Sequence, residues 1–342
     1  MKTMQCCAAF LLIASLLWAC KGPVDLGLDD DLISMTDPNM DAKQYGLACK
    51  KAVASIPPFS CRDGVVVAVT VDGKTPAAYT KDMNCDRPSL LSSFPGEVTD
   101  GQCVPWSRAL ILQDDAVAQV QATCRKKLIR PQESPLFDEI DIIAHSVTEG
   151  TTCWFQALSA NPTGDPAIGL DGSKVPSPTM DKNPEGFPDP LAFWQTPQQI
   201  AKIDCGNCHD NDPFYYSPWI AQTGELPADP FGRYNNNVGP MSLWTQPMSI
   251  ETPGNTCTGC HRIGNLHTCH TGMYQTFDPK TIEFLSAWGK QYPQSHWMPA
   301  GNKWTKAQWD VVYTDAIEAL ATCCKDPKAA ECTLTEVASV VN

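Results

Sequence analysis

The stretch Thr196-Pro197-Gln198-Gln199-Ile200-Ala201-Lys202-Ile203-Asp204-Cys205-Gly206-Asn207-Cys208-His209 joins a helix start to a Cys-x-x-Cys-His pentapeptide. Thr196 is the expected N-cap, and Pro197 fills the first turn, where its missing N–H is not needed. The helix is expected to run into Cys205. Two thiols three positions apart can form thioether bonds to the two vinyl groups of one porphyrin, and the adjacent histidine can ligate the iron from below. Cys257-Thr258-Gly259-Cys260-His261 repeats the pattern. The expectation is two covalently bound haem c groups, attached through Cys205, Cys208, Cys257 and Cys260, with His209 and His261 as iron ligands. Two Cys-x-x-Cys pairs can also build a zinc ribbon. Here 48 residues separate them, more than such ribbons usually need, and zinc leaves both histidines without a purpose.

The first residues read as an export signal. Lys2 supplies a positive start, and Ala8 to Trp18 form an apolar run too short to span a bilayer. Leu17-Trp18-Ala19-Cys20 resembles the lipobox of bacterial lipoproteins, which implies cleavage before Cys20 and lipidation of that cysteine. Trp18 is unusual there, so ordinary signal cleavage is the alternative. Lys21 after the cysteine resembles lipoproteins sent to an outer membrane. The expected location is the periplasmic face of the envelope or the outer membrane, with a lipid anchor as the membrane contact.

Cysteine use agrees with an oxidising compartment. Of 17 cysteines, Cys6 and Cys7 fall in the signal, Cys20 is the lipid site and four belong to the pentapeptides. Six remain upstream (Cys49, Cys61, Cys85, Cys103, Cys124, Cys153) and four downstream (Cys269, Cys323, Cys324, Cys332). Both sets are even, so disulfides can close within each half, although 15 and 3 pairings are open. The neighbours Cys323 and Cys324 are not expected to bridge each other, and one of them reaching Cys332 is the easiest pairing.

The 29 prolines and 22 glycines imply many turns. A net charge of -13 argues against nucleic acid. It would steer a basic redox partner if clustered near a haem edge, and otherwise serves solubility. Five segments are expected: a lipoprotein signal peptide at 1–19, an acidic tether at 20–45, a disulfide-rich α+β domain at 46–159, a Pro/Gly-rich linker or wrap at 160–195, and a mainly α, loop-rich dihaem domain at 196–342. Upstream, Val65 to Val71 reads as a strand closed by a turn at Asp72-Gly73. Asp114 to Ile129 reads as a helix from the spacing of Ala116, Val117, Val120, Cys124 and Leu128. Ile140 to Val147 and Thr151 to Leu158 read as extended. Downstream, helices are expected at Asp278 to Gly289 and Thr305 to Cys323, the latter with Trp309, Val312, Tyr313, Ala316, Ile317 and Leu320 on one face.

From about 195 to 325 the chain resembles bacterial multihaem c-type cytochromes, on the two pentapeptides and on Trp297-Met298-Pro299. The upstream domain matches no characterised family. In small c-type cytochromes a Met-Pro pair after the haem motif commonly gives the distal sulfur ligand. The resemblance therefore makes Met298 a candidate sixth ligand, with His296 as a competing donor. Met298 follows both motifs, so the haem it would serve is open. His267, His270 and His145 are candidates for the second haem. A lone histidine in an apolar segment such as Ile142-Ile143-Ala144-His145 is more often hydrogen-bonded in the core.

Three functions follow from different classes. The first is single-electron transfer between redox partner proteins by a tethered dihaem cytochrome. The second is a dihaem peroxidase-like enzyme with one open haem. The third is a surface binding module carrying redox haems, which would give the upstream half a purpose. An electron carrier is the leading expectation over an enzyme, and no catalytic residue stands out.

Overall fold

The computed structural model describes residues 34–80, 83–89, 92–93, 97–99, 103–161, 164–227, 231–269 and 304–339. The chain divides into two units, Met1–Ser34 and Met35–Asn342, and the second carries the described architecture.

Its main element is an antiparallel meander of five strands: β1 (Val65–Val66), β2 (Arg108–Asp114), β3 (Ala118–Arg125), β4 (Glu139–Ser146) and β5 (Thr152–Leu158), adjacent in that order. The sequence Ala118-Gln119-Val120-Gln121-Ala122-Thr123-Cys124-Arg125 explains β3. It alternates apolar and polar residues with period two, the pattern of a pleated strand. The helix expected over 114–129 is therefore corrected to a hairpin and strand. Positions four apart, such as Val120 and Cys124, share a face in a helix and in a strand alike, so the helical spacing was ambiguous. Asp115 turns the chain, its Oδ1 accepting from the N–H groups of Val117 (2.8 Å) and Ala118 (3.0 Å).

The expected strands over 140–147 and 151–158 are present as β4 and β5. The strand from Val65 is shorter than expected, since ladder pairing ends after Val66. The Asp72-Gly73 turn forms with positive φ at both residues, 50° and 72°, and with Val71 and Lys74 paired across it. That is the geometry of a tight hairpin turn.

One face of the sheet is apolar. Val120, Ala122, Ile140, Ile142, Ala144, Phe155 and Ala157 are all buried. Above them lies α1 (Ala42–Ala52), begun by a capping box between Asp41 and Gln44. Tyr45 of α1 packs on Phe155 at 5.3 Å between ring centroids. Disulfides Cys49–Cys153 and Cys61–Cys124 staple this layer to the sheet, and Cys85–Cys103 closes a smaller loop. The proline-rich chain after β5 is held by specific bonds. Ser177 Oγ donates to the Ile56 carbonyl at 2.5 Å, Trp194 Nε1 to that of Pro176 at 3.0 Å, and Gln195 N to that of Gln156 at 2.9 Å.

A second, three-stranded sheet has β6 (Met248–Glu251) between β7 (Ile263–Gly264) and β8 (Thr333–Glu336). Against it packs a long helix, Lys306–Lys325, capped by Thr305 and Gln308 as its sequence implies. Trp309, Ile317 and Leu320 are buried, while Val312 is exposed, so the buried stripe is narrower than expected. Disulfides Cys269–Cys324 and Cys323–Cys332 close this core. All five bridges close within their own half of the chain, and Cys323 reaches Cys332 as expected.

The described chain is thus a mixed α and β protein with five disulfides. That number of bridges points to folding outside the reducing cytosol. Among the described residues no helix is long and apolar enough to cross a membrane. The expected helix at 278–289 and the segments 1–19 and 20–33 lie outside the described residues.

Candidate functional site

The first pentapeptide follows helix α2 (Pro197–Ile203). Thr196 caps α2, and the Gln199 side chain returns the bond to the Thr196 N–H. Asp204 adopts φ 56° and ψ 60°, which breaks the helix and starts a single turn, α3 (Cys205–Cys208). The turn places the two thiols three positions apart on one coil, and the His209 N–H donates to the Cys205 carbonyl at 2.9 Å. Position 206 has no room for a side chain, since a Cβ there would run into Trp244 and Asn236.

The His209 ring is fixed on three sides. Its Nδ1 lies 2.8 Å from the Pro213 carbonyl oxygen. A carbonyl only accepts, so Nδ1 carries the proton and Nε2 presents a lone pair. Trp154 lies 5.0 Å away edge-on, and Tyr215 lies 6.1 Å away. Burial pushes the imidazole down to about 4, against the pull of the Pro213 bond, and His267 lowers it further. The ring is neutral at ordinary pH.

The wall behind this motif is the second face of the main sheet, and it is polar. Register aligns Gln119, His145 and Thr152, then Gln121, Ile143 and Trp154, then Thr123, Asp141 and Gln156, with Arg125 opposite Glu139 at the end. The residues after the pentapeptide cover this face. Phe214 and Tyr234 pack edge-on against His145, Trp219 lies under the Arg125 guanidinium at 5.7 Å, and Gln121 Nε2 donates to the Glu225 carbonyl at 3.3 Å. Trp154 Nε1 donates to Asn236 Oδ1 at 2.8 Å. Asp141, Cys205, His209 and Tyr215 are each half-buried.

The second pentapeptide is more open. Asn255 organises it, accepting from the Cys257 N–H at 2.9 Å and donating to the Ala316 carbonyl of the long helix at 2.7 Å. Cys257 and His261 are half-buried and Cys260 is exposed. His261 Nδ1 donates to the Arg262 carbonyl at 3.0 Å, which fixes the same tautomer as in His209.

The residues that follow the two histidines tie the motifs together. Asp210, fully buried, accepts from Leu266 N at 2.5 Å, from Thr268 N at 3.2 Å and from the Thr268 hydroxyl. Burial still pushes its carboxyl up to about 6. Asn211 Nδ2 donates to the Arg262 carbonyl at 3.2 Å, and Arg262 Nε returns a bond to the Asn211 carbonyl at 2.9 Å. Arg262 also reaches the Gly232 carbonyl and the Asp212 carboxylate. The sequence reading did not single out Trp154, Asp210 or Arg262. Asp210 and Arg262 stand directly after the motif histidines, and that position was the available signal.

Among the described residues the ten cysteines outside the pentapeptides all form disulfides, and the free thiols are Cys205, Cys208, Cys257 and Cys260. The described residues include no group of three or more His, Cys, Asp or Glu side chains disposed to hold an ion. The four thiols therefore do not gather into one tetrahedral zinc site. His145 is buried in β4 with Nδ1 2.9 Å from Thr152 Oγ1, on the side of the first motif. His267 lies between Leu266 and Thr268, both anchored to Asp210. His270, His296, Met298 and Cys20 lie outside the described residues. No family model, no curated protein and no solved structure matches this chain.

Proposed function

We propose that the chain is an exported dihaem c-type cytochrome that carries single electrons between redox partner proteins. The observation that carries this reading is the sparing of four thiols, two in each pentapeptide, in a protein whose ten other described cysteines are all oxidised to disulfides. Thiols reserved in that way, each pair beside a histidine, suit thioether attachment of a porphyrin.

The donor set fits. In each motif Nδ1 is committed to a carbonyl, so Nε2 is the free ligand nitrogen, held in orientation as metal-binding histidines require. One histidine per site suffices, because the macrocycle itself brings four nitrogens. A bound haem would supply a one-electron iron couple. Cys205 and Cys208 would anchor its edge, and Trp154 and Tyr215 would keep water from the His209 side. The bonds among Asp210, Asn211, Arg262, Leu266 and Thr268 would hold the two centres at a fixed separation, as repeated transfer between them needs. Export and lipidation at Cys20 belong to the same reading, and Met298 and His296 remain its candidate distal ligands.

The pyridine haemochrome spectrum of the purified full-length protein tests this, with two haems per chain expected. None would overturn it. Carbon monoxide then separates the classes. Reduced spectra unmoved by the gas support a carrier with both irons six-coordinate. A shift of one haem supports the peroxidase-like alternative.

A further inference from the structure

The upstream half carries a cationic cleft that electron carriage does not use. Arg62, Arg108, Gln132, Glu133, Ser134 and Phe137 line a cavity of about 340 Å³ at the end of the main sheet where β2 begins. Clefts of that size hold small molecules. Its cations are placed by a covalent and hydrogen-bonded frame. Arg108 stands in register with Cys124 on β3, and Cys124 is bridged to Cys61, the residue before Arg62. Arg62 sits in the short turn Cys61–Asp63, its N–H donating to Ser60 Oγ at 3.1 Å. Arg108 Nη1 donates to the carbonyls of Arg62 at 3.1 Å and Gly64 at 2.7 Å, and Arg62 Nη2 donates to that of Glu133 at 3.2 Å. Lys126 lies behind the lining, its Nζ donating to the Ser134 carbonyl at 2.9 Å and standing 5.2 Å from the Phe137 ring centroid.

These bonds leave the positive charge unpaired. All the acceptors are neutral carbonyls, and among the described residues no carboxylate lies within ion-pair distance of Arg62, Arg108 or Lys126. The neighbouring Arg130, by contrast, is held by both oxygens of Asp138 at 2.5 Å. Lys126 is 2 % exposed, and a buried ammonium normally has an anionic partner. Burial first, then Arg130 and Arg108, push it down to about 8, so it is still a cation at neutral pH. Glu133 is the one acid on the lining, and it is exposed. In a chain of net charge -13 the cleft is a local reversal of sign. Bracing of the turn explains the bonds of Arg108, but it requires neither a second guanidinium nor a buried ammonium beside it.

We propose that this cleft binds a small dianionic oxyanion, of the phosphate or dicarboxylate class, held by the guanidiniums of Arg62 and Arg108. A guanidinium fork matches two oxygens of such a group. Arg62 Nε and Nη1, and Arg108 Nε and Nη2, make no hydrogen bond among the described residues. Lys126 adds a point charge from behind Ser134 and Phe137. Three cations against the Glu133 carboxylate leave two positive charges, which a dianion balances. The site gives the upstream half a task of its own and depends on no part of the haem reading.

Isothermal titration calorimetry of the full-length protein in chloride buffer near pH 7, with inorganic phosphate and separately with succinate, tests this. At least one titrant is expected to bind saturably at a single site per chain, with Kd below about 1 mM. Arg62→Gln leaves the bonds of Arg108 to the backbone in place and should weaken that binding about tenfold or more, as loss of a charged hydrogen-bond donor implies. Glu133→Gln should tighten it. Arg87→Gln, at an exposed arginine outside the lining that bonds Gln222, should leave it unchanged. Binding of phosphate alone, or of succinate alone, supports the proposal and names the class. Heat from neither titrant overturns it, as does binding that Arg62→Gln leaves intact or that Arg87→Gln weakens equally.

Discussion

Trp154 of the main sheet stands 5.0 Å from His209 of the first pentapeptide, ring planes 61° apart. The same indole donates to Asn236 and lies 6.1 Å from Trp244, and its backbone N–H donates to the Tyr45 hydroxyl at 2.9 Å. One residue thus joins the upstream sheet, helix α1 and the motif. The disulfide-rich half supplies the wall against which the first motif is built.

Trp154→Ala should cost about 3–5 kcal/mol of stability, the range for emptying a large core side chain. Trp154→Phe keeps the ring and loses the bond to Asn236, so about 1–3 kcal/mol is expected from the buried acceptor left behind. Chemical denaturation of both variants gives the two values. No loss in Trp154→Phe would show that the indole N–H contributes nothing.

Asp210→Ala removes the acceptor for Leu266 N, Thr268 N and the Thr268 hydroxyl. Each buried donor left without a partner costs about 1–3 kcal/mol. Hydrogen exchange should show Leu266 and Thr268 opening in the variant while the amides of β4 keep their protection. Unchanged exchange at both residues would mean that this brace does not hold the second motif.

His145 gives a pH dependence. Burial, with Arg262 adding to it, lowers its pKa from 6.5 to about 4. The folded pKa lies below the unfolded one, so unfolding favours proton uptake. The stabilisation is complete above 6.5 and is lost as pH falls from 6.5 toward 4. Two and a half units correspond to about 3 kcal/mol. His145→Gln, which can still bond Thr152, should lose this part of the acid sensitivity between those pH values. Parallel stability curves for the two proteins would contradict it.

Replacing Cys49 and Cys153 by Ser opens a bridge that spans 104 residues and staples α1 to β5. A loss of about 2–5 kcal/mol is expected. Replacing Cys323 and Cys332, only 9 residues apart, should cost less, because loop-closure entropy grows with loop length.

How much of this could be read from the chain depends on sequence distance. Thr196, Pro197 and Gln199 announce α2 because a helix cap is local, and the Cys323–Cys332 bridge follows from a short loop. The segment 114–129 misled because Val120 and Cys124 satisfy two periodicities, and the alternating glutamines Gln119 and Gln121 decide between them. The polar sheet face was hidden for a different reason. His145 and Trp154 look like ordinary strand residues until the register aligns them with Thr152 and Ile143. The brace from Asp210 to Thr268 spans 58 positions, and no local pattern carries a contact of that range.

The account rests on what the four spared thiols hold. Intact-mass spectrometry of the denatured full-length protein, alongside Cys205→Ala/Cys208→Ala, reads this directly because thioether links survive denaturation. The account predicts a chain heavier than its polypeptide by two haems, and by one in the variant. A mass equal to the bare polypeptide, or two haems retained without Cys205 and Cys208, would contradict it.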